Sequence, residues 1–566
     1  MSSGLLVGAA RAQNATALPS DPFTLGVASG DPSPDGMVLW TRLAPLPLQP
    51  DGGMPVRPVD VQWQVASDEA FTKVLRAGTV RTTPARAHSV HVEVTGLAAD
   101  RWYFYRFQAA GFGTPAARTR TMPARGARKD RLRLGVVGCQ QYEAGFYSGY
   151  ANMAREDLDL VLHTGDYIYE GGARATSGLP FPDGVAVRDV VGGEIRTLAD
   201  YRVRHAQYKT DPDLQAAHRA FPFIVTTDDH EVENNYADET SEETEKPSAG
   251  FLSRRAAAYQ AYYEHMPLRA AVRPKGPDLA LFRGLEFGLL ARINVLDTRQ
   301  YRSNQPCGDG LGDCAERLAP TQTLMGKRQE AWLHDRLRRS PATWNVISQQ
   351  VVMASFDYNG APGQTPALYN LDSWDGYAVE RARLMGVMAE DRVQNPVVLT
   401  GDVHSSWAND LRTTFFDPTA AVVGSEFVGT SMTSVGIPTA VVGQALADNP
   451  HVKFYNGELH GYLSCTVTPE GWTSDYQSVA ARSRDEVAFT AVSFVTAAGK
   501  PGVELASVGG VPAMTERQGD TGTPSSQRAA NLAVSGTVVL GDAVLGRRWL
   551  QDDGALLRNQ AATPVL

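Results

Sequence analysis

Concentrated positive charge is absent from this chain. Its 53 lysines and arginines are outnumbered by 62 acids, for a net charge of −9, and they form no basic run, which argues against nucleic acid as a partner. No run of about 18 apolar residues occurs, so no transmembrane helix is expected. There is no G-x-S-x-G nucleophile elbow, which excludes the common serine hydrolase layout. "HEVEN" begins like a zinc protease motif but has Asn234 where the second histidine belongs, which excludes that chemistry. No internal repeat is visible. Cysteine is scarce, with four in 566 residues. Cys307 and Cys314 bracket "CGDGLGDC", a loop that a disulfide could close in an oxidising compartment. Cys465, in "GYLSCTV", reads as a small buried hydrophobe.

What is present is ordinary globular composition, 43% hydrophobic, in a chain too long for one small domain. Residues 1–20 read as a leader: a short apolar stretch followed by "ARA", a small-residue cleavage pattern before Gln13. No twin arginine precedes it. The expectation is export to the periplasm or the extracellular space. Residues 21–124 contain "MVLWTRL", "VDVQWQVAS", "SVHVEVTGL" and "RWYFYRFQA", alternating runs separated by Gly/Pro punctuation such as "SGDPSPDG". That spacing predicts a small antiparallel sandwich of immunoglobulin or fibronectin type. A polar, basic linker follows.

From Arg131 the pattern changes. "LRLGVVGCQQ", "LDLVLHTGDYIYE", "FPFIVTTDDHEVENN", "LLARINVLDTRQYR", "WNVISQQVVMAS" and "NPVVLTGDVHSSW" are compact apolar runs that end in chemically capable residues. Between them lie helical stretches such as "LSRRAAAYQAYYEHM" and "KRQEAWLHDRLRRS". Runs without alternation are buried on both faces, as in α/β sheets covered by helices, and ligands of such sheets collect at the strands' carboxyl ends. Residues 131–530 are expected to form this α/β domain, with "ELHGYLSCTVTPEGWTSDYQSV" as two more strands. Residues 531–566 are expected to pack back on it through "RRWLQDDGALLRNQ".

Four strand ends, "GCQQ", "GDYIY", "DDHE" and "GDVH", together supply what a centre of multivalent cations needs: hard anionic ligands close together, one carboxylate placed to bridge. Such cations polarise a phosphoryl oxygen and lower the pKa of a water. Asp166 is the natural bridge. Tyr169 suits a trivalent hard ion such as Fe3+, which would draw off the phenolic proton. Of Tyr167 and Tyr169, one should face the core. Arg299 and Arg302 are candidate phosphate contacts, because a guanidinium forks onto two oxygens; a structural ion pair is the competing reading. His460, in "ELHGY", is a further substrate-binding candidate.

The order and wording of "GDYIYE", "DDHEVENN", "LDTRQYR" and "TGDVHSSW" resemble the PhoD-type alkaline phosphatases. "DPFTLGVASGDPSPDGMVLWTRL" is similar to the opening of that family's N-terminal β domain. A more distant likeness is to the purple acid phosphatases. The resemblance implies a calcineurin-like metallophosphoesterase fold, a two-sheet β core flanked by helices, and an Fe3+ and Ca2+ centre. It implies Cys139, Asp166 and Tyr169 as iron ligands, Asp229 as ligand to a second metal, and Asp402 and His404 as further ligands. His230 would face the phosphate as donor or general acid, with Arg299 beside it. Asn234 and Asn235 are lesser candidates for Ca2+. Where purple acid phosphatases carry a ligand histidine, "WNVISQQVV" has none, and Gln349 or Gln350 stands nearest.

The implied activity is metal-dependent hydrolysis of phosphate monoesters or diesters of small molecules, by a metal-bound hydroxide. A phospholipase D-like diesterase is an alternative within the family. A non-enzymatic surface-binding protein, with the sandwich as its working part, is an alternative outside it.

Overall fold

The computed structural model describes residues 18, 20–173, 180–181, 184–359, 367–509 and 539–540. Two large sheets form the centre. The first has ten strands in the order Lys500–Val508, Phe489–Ala497, Gly471–Val479, His460–Val467, Leu132–Val137, Leu160–His163, Pro222–Val225, Val27–Ser33, Gly36–Arg42 and Ser89–Val94. The second has eight: Arg283–Phe287, Ala291–Val295, Trp344–Ser348, Pro396–Thr400, Val422–Val428, Ser406–Arg412, Val452–Asn456 and Val539–Leu540. At the heart of each sheet the neighbours are parallel.

Side-chain alternation explains why these strands read as unbroken apolar runs. Leu134, Val136, Leu160, Leu162 and Ile224 meet Ile293, Val346, Val397 and Leu399 in one buried cluster between the sheets. Their neighbours Val137, Val161, Phe223 and Val225 turn outward into a second cluster with Tyr201, Tyr208, Tyr259 and Tyr262, which lie on the helices Leu198–Lys209 and Ala249–His265. On the other side, Ile347, Val398 and Val428 pack with Leu333, Leu337 and Leu384 of the helices Gly326–Arg338 and Ala378–Met388. Both faces of each strand are therefore dry, and the layers run helix, sheet, sheet, helix. Trp344 and Trp472 meet edge-on between the sheets, ring centroids 5.8 Å apart. This is the α/β class that the apolar runs predict and the two-sheet core that the family resemblance implies.

Helix starts follow local chemistry. Thr197 caps Leu198–Lys209 in a reciprocal box: its hydroxyl accepts from the Asp200 amide and Asp200 accepts from the Thr197 amide. Ser248 caps Ala249–His265 through the Phe251 amide at 3.1 Å.

The N-terminal β domain contains the four predicted strands and four more. Val74–Thr82 joins Val59–Ala66, Trp102–Ala109, Phe112–Gly113 and Ala117–Arg120 in one sheet. Facing it, Val27–Ser33, Gly36–Arg42 and Ser89–Val94 close a core of Leu39, Val61, Val92, Tyr105 and Phe107. The "SGDPS" punctuation lies within Val27–Ser33, a strand with a register shift between Gly30 and Ser33. This strand pairs in parallel with Pro222–Val225, Ser29 opposite Pro222 and Gly30 opposite Phe223. One sheet thus runs from the N-terminal domain into the large one. The candidate leader "MSSGLLVGAARAQ" and the segment "RRWLQDDGALLRNQ" lie outside the described residues.

Candidate metal centre

Four parallel strands end beside one another, and each is followed at once by a turn carrying candidate ligands. Leu132–Val137 leads to Cys139, Leu160–His163 to Asp166, Pro222–Val225 to Asp228 and Asp229, and Pro396–Thr400 to Asp402 and His404. Cys139, Asp166, Asp402 and His404 all have positive φ, between 53° and 66°. Side chains other than glycine rarely adopt this conformation, and such strain concentrates at functional sites.

Backbone bonds hold the turns together. The Cys139 amide donates to Gly165 O and the Gln140 amide to Asp166 O, each at 3.1 Å. The buried Glu231 carboxylate accepts from the amides of Asp166, Tyr167 and Asp228 at 3.2, 2.5 and 2.8 Å. Gly165, at φ +123°, allows the close approach: a Cβ there would come within 2.7 Å of the Asp228 amide nitrogen.

The side chains converge. The donor atoms of Cys139, Asp166 and His404 lie within 4.8 Å of one another, as do those of Asp166, Asp229 and His230, and those of Asp228, Asp229 and Asp402. Asp166 and Asp229 each belong to two of these groups, so the three are contiguous. Tyr169 completes the first: its hydroxyl lies 3.1 Å from Asp166 Oδ2, 3.0 Å from His404 Nε2 and 2.8 Å from Ser434 Oγ. Tyr167 turns the other way, its hydroxyl 2.8 Å from His218 Nε2 and 3.0 Å from Lys209 Nζ in the core.

Electrostatically the cluster is short of positive charge. Burial, then carboxylate neighbours, pushes Asp166 well above the usual carboxylate range, despite His230. Burial likewise raises Asp228 and Asp402, the latter to about 6, although Arg299 opposes the shift. Burial works the same way on Asp229, but Arg299 and His230 outweigh it and hold that carboxyl low. The Cys139 thiol and Tyr169 phenol are both pushed well up by burial and by the acids. Asp166 Oδ1, Asp228 Oδ2 and Asp229 Oδ1 are buried with no hydrogen-bond partner. Buried carboxylate oxygens without donors are costly, and oxygens, a thiol and imidazole in this array match what hard and borderline cations take. The residues therefore fit a metal centre of more than one ion.

The cluster opens on a cavity of about 540 Å3 whose wall includes Tyr169, Glu170, His230, Asn235, Asp309 and Asp402. Glu170 Oε2 lies 2.7 Å from His230 Nδ1, and the His230 ring lies against Tyr169, centroids 4.1 Å apart. Burial alone would lower the His230 pKa, but Glu170, Asp229 and Asp166 together raise it well above the usual value.

Other predicted residues take different positions. Arg299 is fully buried and clamps Asp228 at 2.5 Å, Asp372 at 2.8 Å and Asp402 at 3.0 Å. Arg302 binds Asp372 at 2.6 Å. Neither is among the residues lining the cavity. His460 is buried beside Ser431, Nδ1 to Oγ 3.0 Å, also off the cavity wall. Asn234 and Asn235 line the cavity, bonded to Glu242 and Asp309. Gln349 and Gln350 are buried and hydrogen-bonded to Thr400, Trp374, Thr226 and Thr298. Cys307 and Cys314 form a disulfide, so their loop puts Asp309, Gly310 and Leu311 on the cavity wall as a closed unit.

Sequence reasoning missed Asp228, Asp372, Glu170, Glu231 and Ser434. Asp228 and Glu231 flank residues already singled out in "DDHE", and a run of acids at a buried strand end was the available signal. Glu170 stands beside Tyr169 in "GDYIYE". Asp372 and Ser434, in "NLDSW" and "TSMTSVG", carry no local pattern.

A family model described as "PhoD-like phosphatase" matches residues 134–476, and one described as "PhoD-like phosphatase, N-terminal domain" matches residues 8–123. The chain is 48% identical over 478 residues to alkaline phosphatase D of Bacillus subtilis (strain 168), covering 83% of this chain and 80% of that protein. A solved structure described as "Structure of PhoD" superposes with a TM-score of 0.82 at 45% identity, over 92% of this chain and 98% of the other.

Proposed function

The chain belongs to the PhoD-like phosphatase family, and from that premise we propose that it hydrolyses phosphate esters at an Fe3+ and Ca2+ centre built from the converging strand ends. That it is a phosphoric ester hydrolase follows from the family and from the likeness to alkaline phosphatase D. The metal identities and the residue roles are the proposal. It rests chiefly on the three buried carboxylate oxygens of Asp166, Asp228 and Asp229 that accept no hydrogen bond, set among thiol, phenol and imidazole donors.

In this reading Cys139, Asp166, Tyr169 and His404 hold the ferric ion. Asp229 and Asp402 hold calcium, with Asp166 shared and Asp228 added to the set. Cations bound there would neutralise the buried acids and supply Lewis-acid chemistry, polarising a phosphoryl oxygen and lowering the pKa of a water. At a trivalent ion the Cys139 thiol and the Tyr169 phenol would lose their protons outright, which would offset the upward push of burial on both.

His230 does the proton work at the leaving oxygen. Its Nδ1 is engaged by Glu170, so Nε2 is the nitrogen left to meet a phosphate ester, and the Glu170 carboxylate favours the charged, donating form of the ring. Arg299 contributes by holding Asp228, Asp372 and Asp402 in place. Wherever it touches these acids it also limits their mutual repulsion. An oxidising, extracytoplasmic location is part of the reading, supported by the Cys307–Cys314 disulfide; among the described residues no helix is long and apolar enough to cross a membrane.

The test is elemental analysis with a visible spectrum of the purified protein, alongside phosphate release from monoesters and cleavage of bis-esters. Iron and calcium with a visible absorption band are expected. A colourless active protein, stoichiometric in zinc and free of iron, overturns the metal assignment.

A further inference from the structure

Residues 430–436, "TSMTSVG", contain no acid, imidazole or aromatic ring, yet this segment touches three of the candidate ligands. The Ser434 amide donates to Cys139 O at 3.3 Å. Val435 O lies 3.0 Å from His404 Nδ1, which leaves His404 Nε2 turned toward Tyr169. Such a carbonyl fixes both the tautomer and the ring orientation of a ligating histidine.

Ser434 is the most informative member. Its side chain is fully enclosed, 0% exposed. Its Oγ lies 2.8 Å from the Tyr169 oxygen and 2.8 Å from Cys139 O, and it accepts from the Gln141 amide at 3.1 Å. A serine hydroxyl has one proton for those two acceptors. While Tyr169 is a phenol, its own proton can go to Asp166 or His404, and Ser434 can serve the Cys139 carbonyl. Once Tyr169 is a phenolate, its anionic oxygen becomes the stronger acceptor, because hydrogen bonds to ionised groups are about twice as strong as neutral ones.

We infer that Ser434 is a positioning residue of the metal centre: its hydroxyl donates to the Tyr169 phenolate oxygen and sets how much electron density that oxygen gives the cation. The inference rests on the reading of Tyr169 as a ferric ligand. A donor on a phenolate lowers the energy of its lone pairs, so charge transfer from the phenolate to iron takes more energy. Removing the donor moves that transition to longer wavelength.

The experiment compares the visible spectra of the iron-loaded, full-length wild type, Ser434→Ala and Ser434→Thr, with iron content and thermal melting measured in parallel. Ser434→Ala shifts the band to longer wavelength at unchanged iron stoichiometry, with a lower melting temperature because the Gln141 amide loses its acceptor. Ser434→Thr, which keeps the hydroxyl, holds the band near its wild-type position. Phosphate release by Ser434→Ala falls about 10-fold, at the low end for loss of a group that orients a metal ligand. A Ser434→Ala band at the wild-type wavelength with full iron overturns the inference. If Ser434→Ala does not retain iron, Ser434→Cys, a weak donor, carries the comparison, and an unshifted band there overturns it equally. An iron-loaded wild type with no visible band instead removes the premise, and is distinguishable because no variant is needed to see it.

Discussion

Glu170 and His230 form a hydrogen-bonded pair, Oε2 to Nδ1 at 2.7 Å, on the wall of the cavity into which the candidate ligands open. Glu170 also accepts from the Asn234 amide at 2.8 Å, so the acid is fixed from two sides and the imidazole can rotate little. His230→Ala is expected to lower kcat for phosphate release by about 10²–10⁴, the range for a positioned proton donor. Glu170→Gln should lower kcat by less, since the amide keeps part of the orientation and loses the charge. Steady-state kinetics with metal analysis check both. Full activity in His230→Ala with metals in place would remove its assigned role.

Asp166 sits in two of the three ligand groups and Tyr169 in contact with one. Asp166→Asn should abolish activity on every ester tested and lower the bound metal. Tyr169→Phe should remove the visible band. Elemental analysis and absorption spectra separate the outcomes. If Asp166→Asn keeps full activity on monoesters and bis-esters, the bridging role is wrong.

The core predicts an acid-sensitive fold. His205, His218 and His265 are buried, and desolvation, with Lys209 near all three and Arg42 near His205 and His265, holds each pKa well below the usual 6.5. A depressed folded-state pKa means that the unfolded chain binds more protons once pH falls below about 6.5, so stability is full above that pH and declines below it. Thermal melts at pH 8, 6 and 5 should show the decline. Both His205 ring nitrogens lack a hydrogen-bond partner. His205→Leu should therefore leave stability at pH 8 unchanged or raise it by up to about 1–3 kcal/mol, and make the acid limb shallower.

The Cys307–Cys314 disulfide spans a sequence separation of 7. Closing so short a loop is worth roughly 2 kcal/mol in the chain-entropy view. The paired Cys307→Ser and Cys314→Ser variant should melt slightly earlier. Because Asp309 accepts from the Asn235 side chain at 2.9 Å across the cavity wall, KM should rise more than kcat falls. An unchanged KM would show that the rim keeps its shape without the bridge.

The sequence was legible where one residue type did one job. The apolar runs marked the parallel strands, because both faces of each are dry; the strand-end motifs marked Asp166 and Tyr169, and the family resemblance added Cys139, Asp229, Asp402 and His404, which the fold brings together. It was less legible where a residue acts through distant contacts. Arg299 reads in isolation as either a phosphate contact or a structural ion pair, and its partners Asp228, Asp372 and Asp402 come from three separate segments. Ser434 lies 265 residues from Tyr169, and no periodicity links them. Val27–Ser33 was hidden because Gly and Pro, which usually punctuate, here sit at a sheet junction with a register shift.

That junction gives the N-terminal domain a mechanical role. Val27–Ser33 shields one side of Pro222–Val225, the strand that delivers Asp228 and Asp229. Cutting the chain in the linker before Arg131 would strip that shield and leave a raw, sticky margin a few residues from the ligands. The β domain is thus a splint for the candidate metal centre, and any attempt to express the larger half alone should be judged by its aggregation before its turnover.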